Sequence, residues 1–201
     1  MDISDIAQIG AAPPARERIL STAYRLFTRR GIRAVGTEEV IAQSGVAKAT
    51  LYRHFPSKNA LVLAVLQRRE ELWTLGLVEQ QSRLRGNTPE EQLLAIFDVF
   101  HDWFQQRDDF DGCSFINVLL ELGAAHPAGQ ASIGYLENIR TIVGERAEAA
   151  GLVDVDDFAR SWHILMKGSI ISAAEGDLRA AQRAQAMGRS LIERHRPRTD
   201  G

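Results

Sequence analysis

The sequence predicts an all-α fold of about nine helices. Two observations predict it. Apolar residues recur with helical spacing in almost every segment beyond residue 15. No stretch alternates with period two, and no Asn-Gly hairpin joins β-branched runs. Residues 1–15 contain Ala-Ala-Pro-Pro without usable periodicity and read as a flexible tail. In the first helix Ile19, Leu20, Ala23, Leu26 and Phe27 form one buried stripe, arginines occupy much of the other face, and Gly31 supplies a stop. A short second helix starts at Thr37, an expected N-cap, with Glu38 and Glu39 at the positive end of its dipole, and ends near Ser44-Gly45. A third covers about Ala47–His54. Pro56-Ser57 breaks the chain, and Ser57 caps a long helix to about Arg85.

Gly86-Asn87-Thr88-Pro89 is a turn followed by a cap-plus-proline helix start, and the helix it opens carries Leu93, Leu94, Ile96, Phe97, Phe100 and Phe104. Asp108–Gly112 is a polar break. Cys113–Leu122 is apolar and helical, ending at Gly123 and Pro127. Further helices are expected over about Gly129–Ala150, Asp156–Glu175 and Leu178–Arg194, and residues 196–201 read as a frayed tail.

With 201 residues the chain can bury a sizeable core. Hydrophobic residues make up 45% and charged residues 25%, ordinary values for a globular protein. The longest unbroken apolar run is Ala60–Leu66, far short of the roughly 20 residues a membrane span needs. The N-terminus lacks the basic and apolar regions of a secretory signal, and no membrane partner is expected. One cysteine, Cys113, excludes a disulfide framework and a cysteine-based zinc site; the default setting is reducing and cytoplasmic. Net charge is −2, unevenly spread: residues 16–66 hold nine Lys/Arg against three acids, whereas residues 67–201 are acidic on balance. A basic module on an acidic body suggests that one end meets a polyanion; a chance excess of solvated arginines is the alternative.

Thr37–Phe55 reads TEEVIAQSGVAKATLYRHF, two short helices joined by a turn at Gly45, the helix-turn-helix arrangement. Val40, Ile41, Val46 and Leu51 are expected to face the core, and Gly45 permits the positive φ that reverses the chain. Ala42 and Ala49 are small enough for close helix approach. Lys48, Thr50, Tyr52, Arg53 and His54 are left for solvent or a partner. The second of these helices is too short to be stable alone, so packing must hold it.

At this point the chain resembles the TetR family of bacterial transcriptional regulators. The resemblance rests on Phe27-Thr28-Arg29-Arg30-Gly31, Thr37, Val40-Ile41-Ala42, Ser44-Gly45-Val46 and the run Thr50–Lys58 followed by Asn59-Ala60-Leu61, and covers about residues 16–66. Ala47-Lys48-Ala49 departs from relatives that carry a serine or glycine there. The resemblance implies a helix-turn-helix DNA-binding domain over 16–62 and an effector-binding and dimerisation domain over 63–195. It implies that Thr37 meets a phosphate, that Lys48 reaches a phosphate or a guanine edge, and that Thr50 touches a base edge. Tyr52 and His54 take phosphate-contacting positions, and Lys58 resembles a backbone anchor. Each residue also has a plain structural use: cap, packing, or solvated charge. Arg53 can instead pair with Glu38 or Glu39.

The expected partners are double-stranded DNA carrying a palindromic operator, a second copy of the chain, and a small-molecule effector. In such families the last two helices form the dimer bundle. Here Phe158, Trp162, Leu165 and Ser169 make one stripe and Ala184, Met187, Gly188 and Leu191 the other; both could equally face their own core. Candidate effector residues are Phe97, Phe100, His101, Phe104, Cys113, Asn117, Tyr135, Trp162 and His163, with core packing the alternative for each. Cys113 lies at a helix start, but Asp108, Asp109 and Asp111 oppose a thiolate, so a buried inert thiol is favoured over a redox or electrophile sensor. No metal site, cofactor or enzyme activity is expected. The five histidines are scattered, there is no Walker loop, and Leu165 stands where a calcium loop over Asp154–Asp157 needs a glutamate. The chosen function is a repressor released from its operator by a ligand; a sensor built on Cys113 and a helical interaction module without DNA affinity are the alternatives.

Overall fold

In the computed structural model, residues 13–106 and 110–198 are described. Most of the expected N-terminal tail, Asp108, Asp109 and the last three residues lie outside them. Among the described residues the chain is all helical. It comprises α1 (Ala15–Arg30), α2 (Thr37–Ser44), α3 (Lys48–His54), α4 (58–85), α5 (Pro89–Gln105), α6 (Ser114–Leu122), α7 (Pro127–Ala149), α8 (Val155–Ala174) and α9 (Ala180–Arg194). The chain divides into two compact units, with the boundary between Val65 and Leu66, three residues beyond the expected position.

In the first unit the predicted stripe of α1 is buried, together with Val40, Leu51, Phe55, Leu61 and Val62. Three local devices fix the loops. Gly45 N–H closes α2 on the Ile41 carbonyl, and its φ of 63° turns the chain so that the Val46 N–H also reaches that carbonyl at 3.5 Å. Arg18 of α1 donates from Nε to the Ser44 carbonyl at 3.2 Å and from Nη2 to that of Gly45 at 3.3 Å, covering acceptors at the end of α2. Ser57 accepts from the Ala60 N–H at 3.1 Å and starts α4 as expected. Two expectations are corrected. Gly36, not Thr37, is the N-cap of α2; Thr37 is already helical and caps nothing. Ala42 and Ala49 are exposed, and Ile41 and Val46 are only half-buried, so Val40 and Leu51 carry the packing of the motif.

In the second unit α4 departs from simple α geometry. Lys58–Arg69 is α-helical, Glu70–Gln81 is wound as a π-helix, and Ser82–Arg85 returns to α. Such winding is rare and was not foreseen. Its far end is tied by buried Arg146, which donates to Ser82 Oγ at 2.7 Å, the Glu79 carbonyl at 2.9 Å and the Gln92 carbonyl at 3.2 Å. Burial, then nearby Arg83, lowers the pKa of this guanidinium. Helix α5 starts with a full capping box between Thr88 and Glu91 and has Pro89 at its head, as predicted. His126 caps α7 by accepting from the Ala128 N–H at 3.1 Å. The core is aromatic: Phe97, Phe100, Phe104, Phe115, Phe158 and Trp162 are fully buried. Arg196, assigned to the frayed tail, instead bridges Glu90 at 2.8 Å and Glu193 at 3.1 Å.

Candidate nucleic-acid interface

Helix α3 has seven residues and cannot hold itself together in isolation. Leu51, completely buried, and Phe55 just beyond its end anchor it. With that face committed, Lys48, Tyr52 and Arg53 are exposed, and Thr50 and His54 are half-buried. The short helix thereby offers a row of donors on a fixed base.

The side chains are pre-positioned by neighbours on α2. Lys48 Nζ donates to Glu38 Oε1 at 2.6 Å. That hydrogen bond, then the charge of Glu38, raises the Lys48 pKa, so the ammonium stays charged. Both groups are largely in solvent, which leaves the pair easy to exchange for another anion. The Tyr52 hydroxyl lies 3.3 Å from Thr37 Oγ1, joining the first turn of α2 to the middle of α3. Thr37, Lys48 and Tyr52 thus belong to one polar cluster. Glu39 pairs with Arg30 at 2.5 Å, so neither Glu38 nor Glu39 is used by Arg53. Lys58 donates from Nζ to the Ile32 carbonyl at 2.5 Å and lies 5.9 Å from the Phe27 ring centroid. It anchors the α1–α2 loop from within.

The other expected residues fall in the second unit and separate. Phe104, Cys113 and Asn117 line a cavity of about 470 Å³ together with Phe110, Ile170 and Leu178. Phe97, Phe100, Trp162 and His163 are core instead. His101 is half-buried, and Tyr135 stacks on Phe115 at 5.1 Å. Burial, with lesser effects from Lys167 and Arg140, pushes His163 down to about 3, so it is a neutral imidazole. Cys113 is buried, and burial raises its thiol pKa against the hydrogen bonds of the α6 N-terminus, the reverse of what an activated thiolate needs.

The stripes expected at a dimer surface are largely spent inside the unit. Phe158, Trp162, Ser169, Ala184, Gly188 and Leu191 are buried; Leu165 is half-buried and Met187 exposed. The strongest apolar periodicity in α8 and α9 marks the face that packs on α5, where Trp162 meets Phe97 at 5.2 Å. Ile164 and Ile171, which the sequence reading passed over, are the exposed apolar residues of α8.

Comparison with known proteins agrees with this architecture. The model of the family described as bacterial regulatory proteins, tetR family, matches residues 19–65. The transcriptional activator FasR of Mycolicibacterium smegmatis is 37% identical over 91 residues, 45% of this chain and 40% of that protein. The transcriptional repressor NemR of Escherichia coli is 28% identical over 107 residues, 53% of each. The matched stretches therefore span only about half, or less, of these curated relatives. Among solved structures, the TetR-family regulator SCO4454 of Streptomyces coelicolor superposes with a TM-score of 0.81 at 26% identity, covering 91% of this chain and 96% of that one. The reduced form of E. coli NemR gives 0.75 at 20% identity, covering 89% and 97%, a likeness of fold. The helix-turn-helix unit and its signature match the family described as bacterial regulatory proteins, tetR family, over residues 19–65, and the helical chain is similar in fold to a TetR-family regulator over 91% of its length.

Proposed function

We propose that this chain is a DNA-binding transcriptional regulator, a repressor that binds a palindromic operator as a homodimer and is released by a small molecule. The observation that carries the reading is the α2–α3 pair, in which Lys48, Thr50 and Tyr52 stand on a short helix held by Leu51 and Phe55. A helix of this kind fits the major groove, with Lys48 and Thr50 toward base edges and Tyr52 and Thr37 toward phosphate. His54, at the end of α3, is placed for a further phosphate. Lys58 then acts by fixing the loop before α2 and offers its remaining donors to the backbone. Two-fold pairing is assigned to the outer faces of α8 and α9, where Ile164, Ile171 and Met187 are exposed.

The effector is assigned to the cavity bounded by Phe104, Cys113 and Asn117. Release needs only a modest preference: a tenfold loss of operator affinity corresponds to about 1.4 kcal/mol of differential binding, and linkage makes that effect reciprocal. Fluorescence anisotropy with a duplex operator, titrated against salt, tests the reading. Affinity falling by about 10³–10⁵ between roughly 50 and 200 mM salt supports a phosphate-binding interface. Lys48→Ala and Tyr52→Ala should each weaken binding well beyond twofold. A salt-insensitive chain without DNA affinity would instead be a helical interaction module.

A further inference from the structure

Glu70 is a carboxylate in the wrong environment for a resting protein. It is 7% exposed, and only one of its oxygens is satisfied: Asn138 Nδ2 donates to Oε1 at 2.8 Å, while Oε2 has no hydrogen-bond partner among the described residues. One turn further on, Thr74 is fully buried with its hydroxyl likewise unpartnered. Buried polar groups are normally paired, and a bare carboxylate oxygen is among the more costly exceptions. The π-helical winding of α4 begins at Glu70, and π segments are frequent at functional sites.

The surroundings specify what would satisfy that oxygen. Tyr135 lies close enough for Glu70 to add to the effect of burial in raising its phenol pKa. Tyr135 stacks on Phe115 at 5.1 Å, and Phe115 meets Trp73 at 6.4 Å. A carboxylate beside aromatic faces is the pattern that receives an organic cation. The cluster also adjoins the cavity. Arg69, the neighbour of Glu70, donates to the carbonyl of Gly112, a lining residue, at 3.3 Å, and Phe115 stands two residues after Cys113, another. The guanidinium of Arg69 is already occupied there and by the faces of Trp73 and Trp103, at 5.3 and 5.5 Å. Among the described residues, those lining the cavity include an acid, Asp111, and no Lys, Arg or His.

We propose that Glu70 is the recognition carboxylate for an effector that carries a protonated amine on an aromatic or apolar body, with Thr74 and Asn138 holding the same head group. This rests on the reading that the helical body binds an effector. It is tested on the full chain without DNA, by calorimetric titration with three probes of one shape: naphthylethylamine, naphthylethanol and naphthylacetate. The amine should bind at least about tenfold more tightly than the alcohol or the acid. Glu70→Gln should abolish that preference without lowering the thermal midpoint, because an amide of the same shape keeps the Asn138 hydrogen bond to Oε1. Should Glu70→Gln fail to fold, Thr74→Val gives a second arm: amine affinity falls and alcohol affinity holds. Equal binding of amine and alcohol, survival of the preference in Glu70→Gln, or equal losses in Thr74→Val would overturn the assignment. Failure of all three probes in a protein that still binds its operator overturns it too, and leaves the DNA-binding reading standing.

Discussion

Lys48 Nζ and Glu38 Oε1 are 2.6 Å apart, so the first residue of α3 is held by a carboxylate from α2. Glu38 orders the ammonium here; in the proposed DNA complex it would hand it to a phosphate or a base. Glu38→Gln should therefore bind operator more tightly, by about threefold at low salt, with the difference shrinking as salt screens the pair. Weaker binding by the variant would mean that Glu38 positions Lys48 and does not restrain it. Anisotropy titrations at two salt concentrations separate these outcomes.

Gly188 is where α9 presses against the aromatic core. A Cβ there would lie 2.9 Å from Trp162 Cη2 and 3.4 Å from Phe97 Cε2. Trp162 is fully buried and stacked on Phe158 at 5.3 Å, so it has little room to retreat. Overpacking costs about 1–3 kcal/mol, only partly offset by alanine's better helix propensity of about 1 kcal/mol. Gly188→Ala should lower the thermal midpoint by several degrees and leave the α2–α3 pair untouched. An unchanged midpoint would show that α9 can shift at this point.

His163 makes stability depend on acid. Folded, it titrates at about 3; unfolded, it returns to about 6.5. Above the unfolded value neither state carries the proton, and the residue has no effect on the balance. As the pH falls below that value, the unfolded chain takes up a proton that the folded chain refuses. Stability then declines by up to about 1.4 kcal/mol per pH unit until the folded value is reached. Lys167 and Arg140, both cationic neighbours, act in the same direction. Thermal melts at pH 7 and pH 5 should show a smaller acid-induced drop for His163→Leu than for the parent chain. An equal drop would assign the acid sensitivity elsewhere.

The helix-turn-helix unit was legible because its cues are local. A stripe of Ile19, Leu20, Ala23, Leu26 and Phe27, a left-handed Gly45 and an N-capping Ser57 each act within a few residues. Arg18 was not legible, since its acceptors are 26 and 27 residues away and no pattern in α1 announces them. The exchange of partners between Lys48 and Arg53 turns on side-chain reach, which spacing alone does not fix. In α8 and α9 the apolar periodicity was legible, but spacing alone left open whether the stripes serve the chain's own core or a second copy. The richest apolar stripe belongs to the core, and the sparser Ile164, Ile171 and Met187 are what remains outside. Glu70 was missed for the same reason: in sequence it is one more acid on a long helix, and only the packing of α7 and the aromatic cluster encloses it.

The central claim is that α3, in a two-fold pair of chains, reads duplex DNA. Selection of bound duplexes from a random pool at low ionic strength, with no effector present, tests it most directly. The account predicts recovery of an inverted repeat whose half-sites lie about one helical turn, roughly 34–36 Å, or a multiple of it apart. Enrichment should be lost in Lys48→Ala and Tyr52→Ala. A pool that emerges without enrichment, or a recovered site with no two-fold symmetry, would contradict it.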